Sequence, residues 1–418
     1  MAGKIDPIPA AQRLGTLDFI RGIAVLGILM INVESFSYPN PFLPNTFGFD
    51  GPLDREVRFW VYLFFQGKFF SMFALLFGVG FYIFLERMES KSIGLRGMDI
   101  YARRLFWLFI FGVVHAIFIW NGDILYHYAV CGLLLFPFRL FNNKYLVLMM
   151  MIIITTLGYR SYQSTVARAE KFYAYEEALT VDSLSRTLEQ LQAIETWDRI
   201  TSIPSPDGES IIQARSGGYW SNVLENLGHV EVSSGRFYFQ GIVLRTLLLM
   251  LLGMLFYRLG IFHNYRLVSF YWPVTVGVLI LGLWLSFNWS YHWTYEYYEK
   301  PIIKVADGFQ ALFYKEVLAI GYVLMLNGLY QALLTGSRYQ PFSCVGRMAL
   351  TNYIGQSVIC AFIFYGFGLG FYNEFSRTEL LPIVIAIWVI QMVFSTLWLR
   401  NHQFGPLEWL WKKLTYSA

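Results

Sequence analysis

The sequence predicts an all-α integral membrane protein of about ten transmembrane helices with a small, mostly helical outer subdomain. Three observations lead there. The chain of 418 residues is 56% hydrophobic and only 14% charged, against about 25% charged in a soluble domain. So much apolar surface cannot be buried in one water-soluble core, which excludes an ordinary soluble enzyme, a disordered chain and a disulfide scaffold. Second, ten apolar runs each approach the roughly 20 residues that a helix needs to cross the hydrocarbon core. Third, Lys and Arg are distributed between the runs as the positive-inside rule requires.

The first run, 18–37, is closed by no small-residue cleavage site and is expected to remain as an anchor. The second, 59–85, is long enough to tilt or to break near Gly67 and Lys68. Runs 104–120 and 123–141 are separated by Asn121 and Gly122 and form a tight hairpin, and run 145–160 follows. Runs 237–258, 267–288, 310–334, 346–367 and 380–399 complete the set. The expected division is 1–160 for helices one to five, 161–235 for an outer cap or loop, and 236–418 for helices six to ten and a tail. Residues 161–235 carry eleven acids against five Lys/Arg. Leu184, Leu188, Leu191 and Ile194 have helical spacing there, and Pro204 to Gly208 reads as a turn. A mobile loop is the alternative. The tail from Phe404 to Lys413 reads as a short amphipathic surface helix.

With the N-terminus inside, the inner segments hold Lys4 and Arg13, Arg87 to Arg104, Arg139 and Lys144, Arg258 and Arg266, Arg338 and Arg347, and Arg400 to Lys413. The short outer loops hold Arg55, Arg58, Lys300, Lys304 and Arg377, offset by acids such as Asp50, Asp54, Glu299 and Glu374. Both termini are therefore expected in the cytoplasm. Cys131, Cys344 and Cys360 lie in or beside apolar runs without metal-type spacing and read as small hydrophobes. No metal site is expected. The basic residues form topology signals, not a nucleic-acid patch.

Ionisable groups inside a bilayer are costly and mark candidate sites. Asp18 can cap the first helix and Arg21, at i+3, can pair with it. That pair either seats the helix or leaves a guanidinium facing a phosphate-bearing ligand. Asn32 and Glu34 lie about 16 and 20 Å further along the same helix. Arg104 and His115 share a face of the third helix. Asp123 and His127 stand at i, i+4, where a carboxylate can orient an imidazole as a general base, although Asp123 also suits an N-cap. His115 reads as either a satisfied core histidine or a functional one. Arg245 lies near the middle of the sixth span and requires a partner among Glu34, Asp123 and Glu316. Arg347, Thr351, Asn352 and Gln356 form a polar stripe that reads equally as interhelical bonding or as a cavity lining. No phosphate-binding P-loop, zinc-protease helix, nucleophile elbow or dinucleotide fingerprint is present.

These motifs carry a resemblance. Arg13, Leu17, Asp18 and Arg21-Gly22 through Gly27 to Asn32 resemble the opening of the YeiB-like family of bacterial inner-membrane proteins. Gly67-Lys68 through Ser71 to Phe77-Gly78 and Gly80 resembles its second-helix motif. Arg103-Arg104, Gly112, His115 and Gly122-Asp123 to Tyr128 resemble its third. In the C-terminal half, Gly346-Arg347 through Thr351-Asn352-Tyr353 to Gln356-Ser357 and Phe404-Gly405-Pro406 to Glu408-Trp409 resemble the domain of unknown function that names the family. The first helix is also distantly similar to that of heparan-alpha-glucosaminide N-acetyltransferase and other transmembrane acyltransferases. Some of those relatives have a His eleven residues after the Arg, where this chain has Asn32. The heparan enzyme has a transfer His eleven residues beyond, where this chain has Leu43.

The resemblance implies a transmembrane acyltransferase in a bacterial inner membrane. It would pass an acetyl or other acyl group from a cytosolic coenzyme A thioester to an extracytoplasmic glycan or lipid acceptor. Arg21, Arg104 and Arg347 would hold the coenzyme, and Asn32, Glu34, Arg245, Asn352 and Gln356 would line the channel. The base would be His115 or the pair of Asp123 and His127. The alternative is a non-catalytic transporter or lipid-handling protein with the same polar groups along its path. Membrane lipids are partners under either reading.

Overall fold

The computed structural model describes residues 14–39, 51–90, 95–201, 208–233, 236–296, 302–333 and 340–416. The expected turn from Pro204 to Asp207 lies outside them, as do Arg13, Leu43 and Lys4, Asp50, Lys91, Glu299, Lys300 and Arg338 of the charge pattern. The protein is an all-α membrane protein. Among the described residues, eight helical segments are long and apolar enough to cross a bilayer, and two shorter apolar ones accompany them.

In chain order the helices are α1 (Gly15–Ser37), α2 (Pro52–Phe64), α3 (Lys68–Ser90), α4 (Leu95–Phe118), α5 (Leu125–Leu135) and α6 (Asn143–Thr180). Then come α7 (Leu188–Thr201), α8 (Gly208–Ser216), α9 (Tyr219–Ser233), α10 (Arg236–Arg258) and α11 (Tyr271–Tyr291). Last are α12 (Val305–Leu333), α13 (Pro341–Arg347), α14 (Ala349–Phe364), α15 (Arg377–Asn401) and α16 (Pro406–Tyr416). The expected break at Gly67 and Lys68 is present and divides the second span into α2 and α3.

Helix α1 is the bundle's axis: 83% of its apolar window is buried, against 22–61% for the other spans. It packs on α13, α3, α14, α12 and α15. Gly22 of α1 and Gly346 of α13 face each other so closely that a Cβ on either would strike the partner's backbone. Small residues allow such backbone approach, the main source of helix attraction where lipid is as apolar as the side chains. The outward faces of α4, α6, α11 and α15 carry exposed Phe106, Leu148, Ile280, Trp284, Ile390 and Leu397, as surfaces solvated by acyl chains should.

One end of the bundle holds the start of α1, the α13–α14 break and α16. There Trp411 of α16 donates to the Arg104 carbonyl of α4 at 2.9 Å, and Glu408 reaches the first turn of α14. This is the tail end. At the other end Phe36 stacks on Trp120 with centroids 4.5 Å apart, and Asn373 donates to the Ser37 carbonyl at 2.8 Å. Helices α8 and α9 pack over this far end: Tyr219 donates to the Phe118 carbonyl at 3.0 Å, and Gly366 to that of Arg215 at 2.8 Å. Helix α6 continues 38 residues, far past its apolar part.

The charges assigned to short outer loops are partly misplaced by sequence. Arg58 and Arg377 sit inside α2 and α15 and are 1% and 2% exposed. Helix periodicity places both on core-facing sides, where an acid, Glu34, already lies. Arg377 Nε stands 3.7 Å from Glu34 Oε2.

Candidate active site

The α4–α5 hairpin builds the site. Trp120 caps α4 by donating its backbone N–H to the His115 carbonyl at 2.9 Å, and the chain then reverses. Asp123 follows, and one of its oxygens accepts from the Tyr126 backbone N–H at 3.1 Å, satisfying the start of α5. The other oxygen lies 2.7 Å from His115 Nδ1. Both side chains are sealed from solvent, at 1% and 0% exposure. Gly112, one turn before His115, makes this possible: a Cβ there would meet Tyr126 and Asp123. The N-cap position itself falls to Ile124, one residue past the expected Asp123, yet the Asp123 carboxylate still takes the Tyr126 N–H of the first turn and also orients an imidazole.

That imidazole is His115. The carboxylate oxygens of Asp123 go to His115 and Tyr126, so the expected side-chain pair with His127 gives way to a contact across the hairpin. His127 is buried beside Tyr126, with ring centroids 4.0 Å apart. With Nδ1 on the carboxylate, His115 keeps Nε2 for other work, and no described residue hydrogen-bonds it. Two more polar groups without partners lie around this ring: the Tyr353 hydroxyl and the Trp120 indole N–H. Their rings stand 5.2 and 6.2 Å from that of His115. Buried polar groups are nearly always hydrogen-bonded. The His115 Nε2 and the Trp120 indole N–H are thus left able to bond a polar ligand atom, and the Tyr353 hydroxyl, set against the Ile124 backbone, still has a proton to donate.

The three arginines expected to hold a phosphate-bearing ligand all lie toward the tail end. Arg21 pairs with Asp18 at 3.0 Å and stays partly open. Asp18 makes no cap: α1 starts at Gly15 with Leu14 in the N-cap position and no side-chain cap bond, and the carboxylate serves Arg21 instead. Arg104 lies under the Trp411 ring at 4.3 Å and within electrostatic range of Arg21. No carboxylate pairs with Arg104 among the described residues. Arg347 donates to the Gln403 carbonyl at 3.2 Å. Beside it Glu408 accepts from the backbone N–H of Leu350 at 2.7 Å and of Thr351 at 3.1 Å, capping α14 from another helix. Burial pushes the Glu408 carboxyl above the usual carboxylate range, and the bonds from Thr351 oppose that shift.

The expected channel residues separate. Gln356 donates to the Val25 carbonyl at 3.0 Å and to Gln391 at 2.9 Å. Asn352 donates to Ser395 at 2.9 Å, and Gln391 returns a bond to the Asn352 carbonyl at 2.8 Å. This closed amide ladder joins α1, α14 and α15, so of the two readings of the stripe the geometry is that of interhelical bonding. Thr351 belongs to the Glu408 cap. Arg245 finds Glu316 at 2.9 Å and the Leu312 carbonyl at 2.9 Å. Glu34 lies with Arg377, toward the far end. Asn32 is half-buried and makes no side-chain hydrogen bond among the described residues.

Sequence reasoning passed over Tyr353 and Trp120 as site groups, and Lys315 altogether. Aromatic residues are too frequent here, at 19%, for any one to stand out. A lysine inside the apolar run 310–334 did offer a signal, by the same cost that singled out Arg245.

A curated relative in Escherichia coli strain K12, the uncharacterized protein YeiB, is 31% identical over 97% of this chain and 97% of its own length. The chain belongs to the YeiB-like family. Uncharacterized protein YxaH of Bacillus subtilis strain 168 is 30% identical over 99% of this chain and 97% of its own length. An uncharacterized 39.9 kDa protein in the amylase 3' region of Bacillus acidopullulyticus is 28% identical over 99% of this chain and 96% of its own. Residues 256–418 match the family described as protein of unknown function DUF418. No solved structure matches the chain. YeiB-like membership extends over the hairpin and the α13–α16 elements alike, so the dyad and the Glu408 cap both lie within the shared chain.

Proposed function

We propose that this YeiB-like protein is a transmembrane acyltransferase. It would move an acyl group from a cytosolic coenzyme A thioester to a hydroxyl or amine on an extracytoplasmic glycan or lipid. The observation that carries the reading is the buried Asp123–His115 pair, whose Nε2 has no hydrogen-bond partner among the described residues, with the Tyr353 ring 5.2 Å from the imidazole. The residues at the tail end fit a polyanionic coenzyme: Arg21 and Arg104 lie within range of each other, Asp18 pairs with Arg21 alone, and Arg104 has no carboxylate among the described residues. Arg347 extends the same basic end.

The thioester supplies the activated acyl carbon. His115 Nε2 takes the proton of the acceptor as its oxygen or nitrogen bonds to that carbon. Asp123 holds the tautomer that leaves Nε2 basic and stabilises the imidazolium. The proton then passes to the departing sulfur. Tyr353 donates to the carbonyl oxygen where charge develops. The orientation that puts the tail end in the cytosol follows from the basic residues collected there.

The first test is a thermal shift of the detergent-purified protein titrated with acetyl-coenzyme A, beside Arg21→Ala. At 100 times its dissociation constant a ligand stabilises a fold by about 2.7 kcal/mol. Saturable stabilisation absent from the variant is the expected result. Silence with acetyl and longer acyl thioesters, in folded protein, removes the reading. A transporter is the second reading, favoured by the Glu34–Arg377 and Arg245–Glu316 pairs, which the dyad does not use. It predicts substrate movement in proteoliposomes without any thioester.

A further inference from the structure

Three cations and one carboxylate meet where α2 gives way to α3. Lys68, the first residue of α3, is fully buried and donates to the Tyr62 carbonyl at 2.7 Å. Its Nζ stands 4.9 Å from the centre of the Tyr314 ring, and Lys315 Nζ stands 5.3 Å from the same ring. The two lysines lie within electrostatic range of each other and of Glu316, and Lys315 also of Arg245. Glu316 is already held by Arg245 at 2.9 Å. Among the described residues no carboxylate pairs with either lysine.

The backbone is arranged around this meeting. Gly67 takes a φ of +73°, and a Cβ there would run into the Lys315 side chain. The glycine thus turns the chain and leaves room for the Lys315 stem beside Lys68. A cavity of about 380 Å³ lies close by, lined by Asn288, Trp289, Lys304, Asp307 and Gln310 among others. Trp289 stacks on Tyr314 with centroids 5.0 Å apart. One ring, Tyr314, therefore joins the cavity wall to both ammonium groups, and its hydroxyl is tied to Gln66 at 3.0 Å.

An uncompensated ammonium at membrane depth either pairs or gives up its proton. With Glu316 matched to Arg245, both lysines are left without a carboxylate among the described residues. We propose that Lys68 and Lys315, with Arg245 behind them, bind a phosphate-class anion at the α2–α3 break, on the Tyr314 side of the Trp289 stack. Two point charges on separate helices suit the spread charge of a phosphate. The site uses no residue of the His115 dyad and does not depend on the acyl-transfer reading.

The test uses the full chain in nanodiscs of phosphatidylcholine. Inorganic phosphate is titrated at constant ionic strength, with chloride exchanged for it, and unfolding temperature is read. A parallel series replaces part of the lipid with phosphatidylglycerol. A saturable rise with phosphate supports the site and names a soluble phosphate ester as its ligand class. A rise only with the anionic lipid supports it and names a headgroup. In either case Lys315→Gln should weaken the response by on the order of thirtyfold or more, Lys315→Arg should restore it, and His115→Gln should leave it unchanged. No response to either source overturns the proposal, the lysines then being neutral. A response that Lys315→Gln retains also overturns it. Lys315 is half-buried, so this variant decides even where Lys68→Gln fails to fold.

Discussion

His115 is held by one hydrogen bond and surrounded by rings, so its chemistry depends on what occupies Nε2. Asp123 does two jobs with two oxygens, ending a hairpin and orienting an imidazole, and substitutions should separate them. Asp123→Asn keeps an oxygen for the Tyr126 N–H but cannot stabilise an imidazolium. Acyl transfer should then fall by about 100-fold or more while thermal stability changes little, since a positioned base contributes roughly 10²–10⁴. His115→Gln should lose a similar factor and still show the coenzyme-dependent thermal shift. Transfer undiminished in His115→Gln would assign the imidazole to the core alone. Part of this centre was legible as text. His115 and Asp123 stand eight positions apart across a two-residue gap between apolar runs, so local spacing pointed to both. Their pairing was not legible, because Asp123 with His127 at i, i+4 satisfies the same helical rule. The choice is made by Gly112, which lets the two helices approach closely enough for the contact across the hairpin.

At the scale of elements, the bundle joins helices with groups that terminate one and belong to another. Glu408 of α16 caps α14 at Leu350 and Thr351, so the tail helix is part of the bundle's fastening. Glu408→Ala should cost about 1–2 kcal/mol, the ordinary worth of a cap, read as a lower unfolding temperature. The pH response carries a sign. Burial raises the folded pKa of this carboxyl above its usual value, so its contribution is full below about 4.5 and declines as pH rises through the raised value. Glu408→Gln keeps an acceptor for the cap and removes the titration. It should therefore flatten the loss of stability on going from mildly acidic to neutral pH; an identical slope in both proteins would contradict the assignment. Long apolar runs and the Gly67 break were readable because hydropathy and glycine act locally. The Gln356–Gln391–Asn352 ladder was not, because equal polar stripes serve bonding and lining, and only the partner helix α15 decides between them. Arg58 and Arg377 misled for the same reason: beside apolar runs they read as loop charges, and burial against Glu34 is a property of three helices together.

Taken whole, the molecule is polarised along the bundle axis, and the direction of any transfer follows from which end meets the cytosol. The tail end gathers Arg21, Arg104, Arg347 and the α16 lysines. The far end carries α8 and α9 over the hairpin. A membrane potential and anionic lipid both favour basic flanks on the cytosolic side, so α16 should face inward. Cysteine labelling of whole cells with a membrane-impermeant maleimide tests this directly. Cys131, Cys344 and Cys360 are all buried, which keeps the background of the unmodified chain low. Leu184, 94% exposed beyond the apolar part of α6, and Lys413 on α16 supply reporter positions on the two sides. Leu184→Cys should label in intact cells, and Lys413→Cys only after permeabilisation. The reverse pattern would turn the arginines outward, away from any cytosolic thioester. The acyl donor would then have no access to the end of the bundle that fits it, and the acyltransferase reading would fail with the topology, whatever the dyad does.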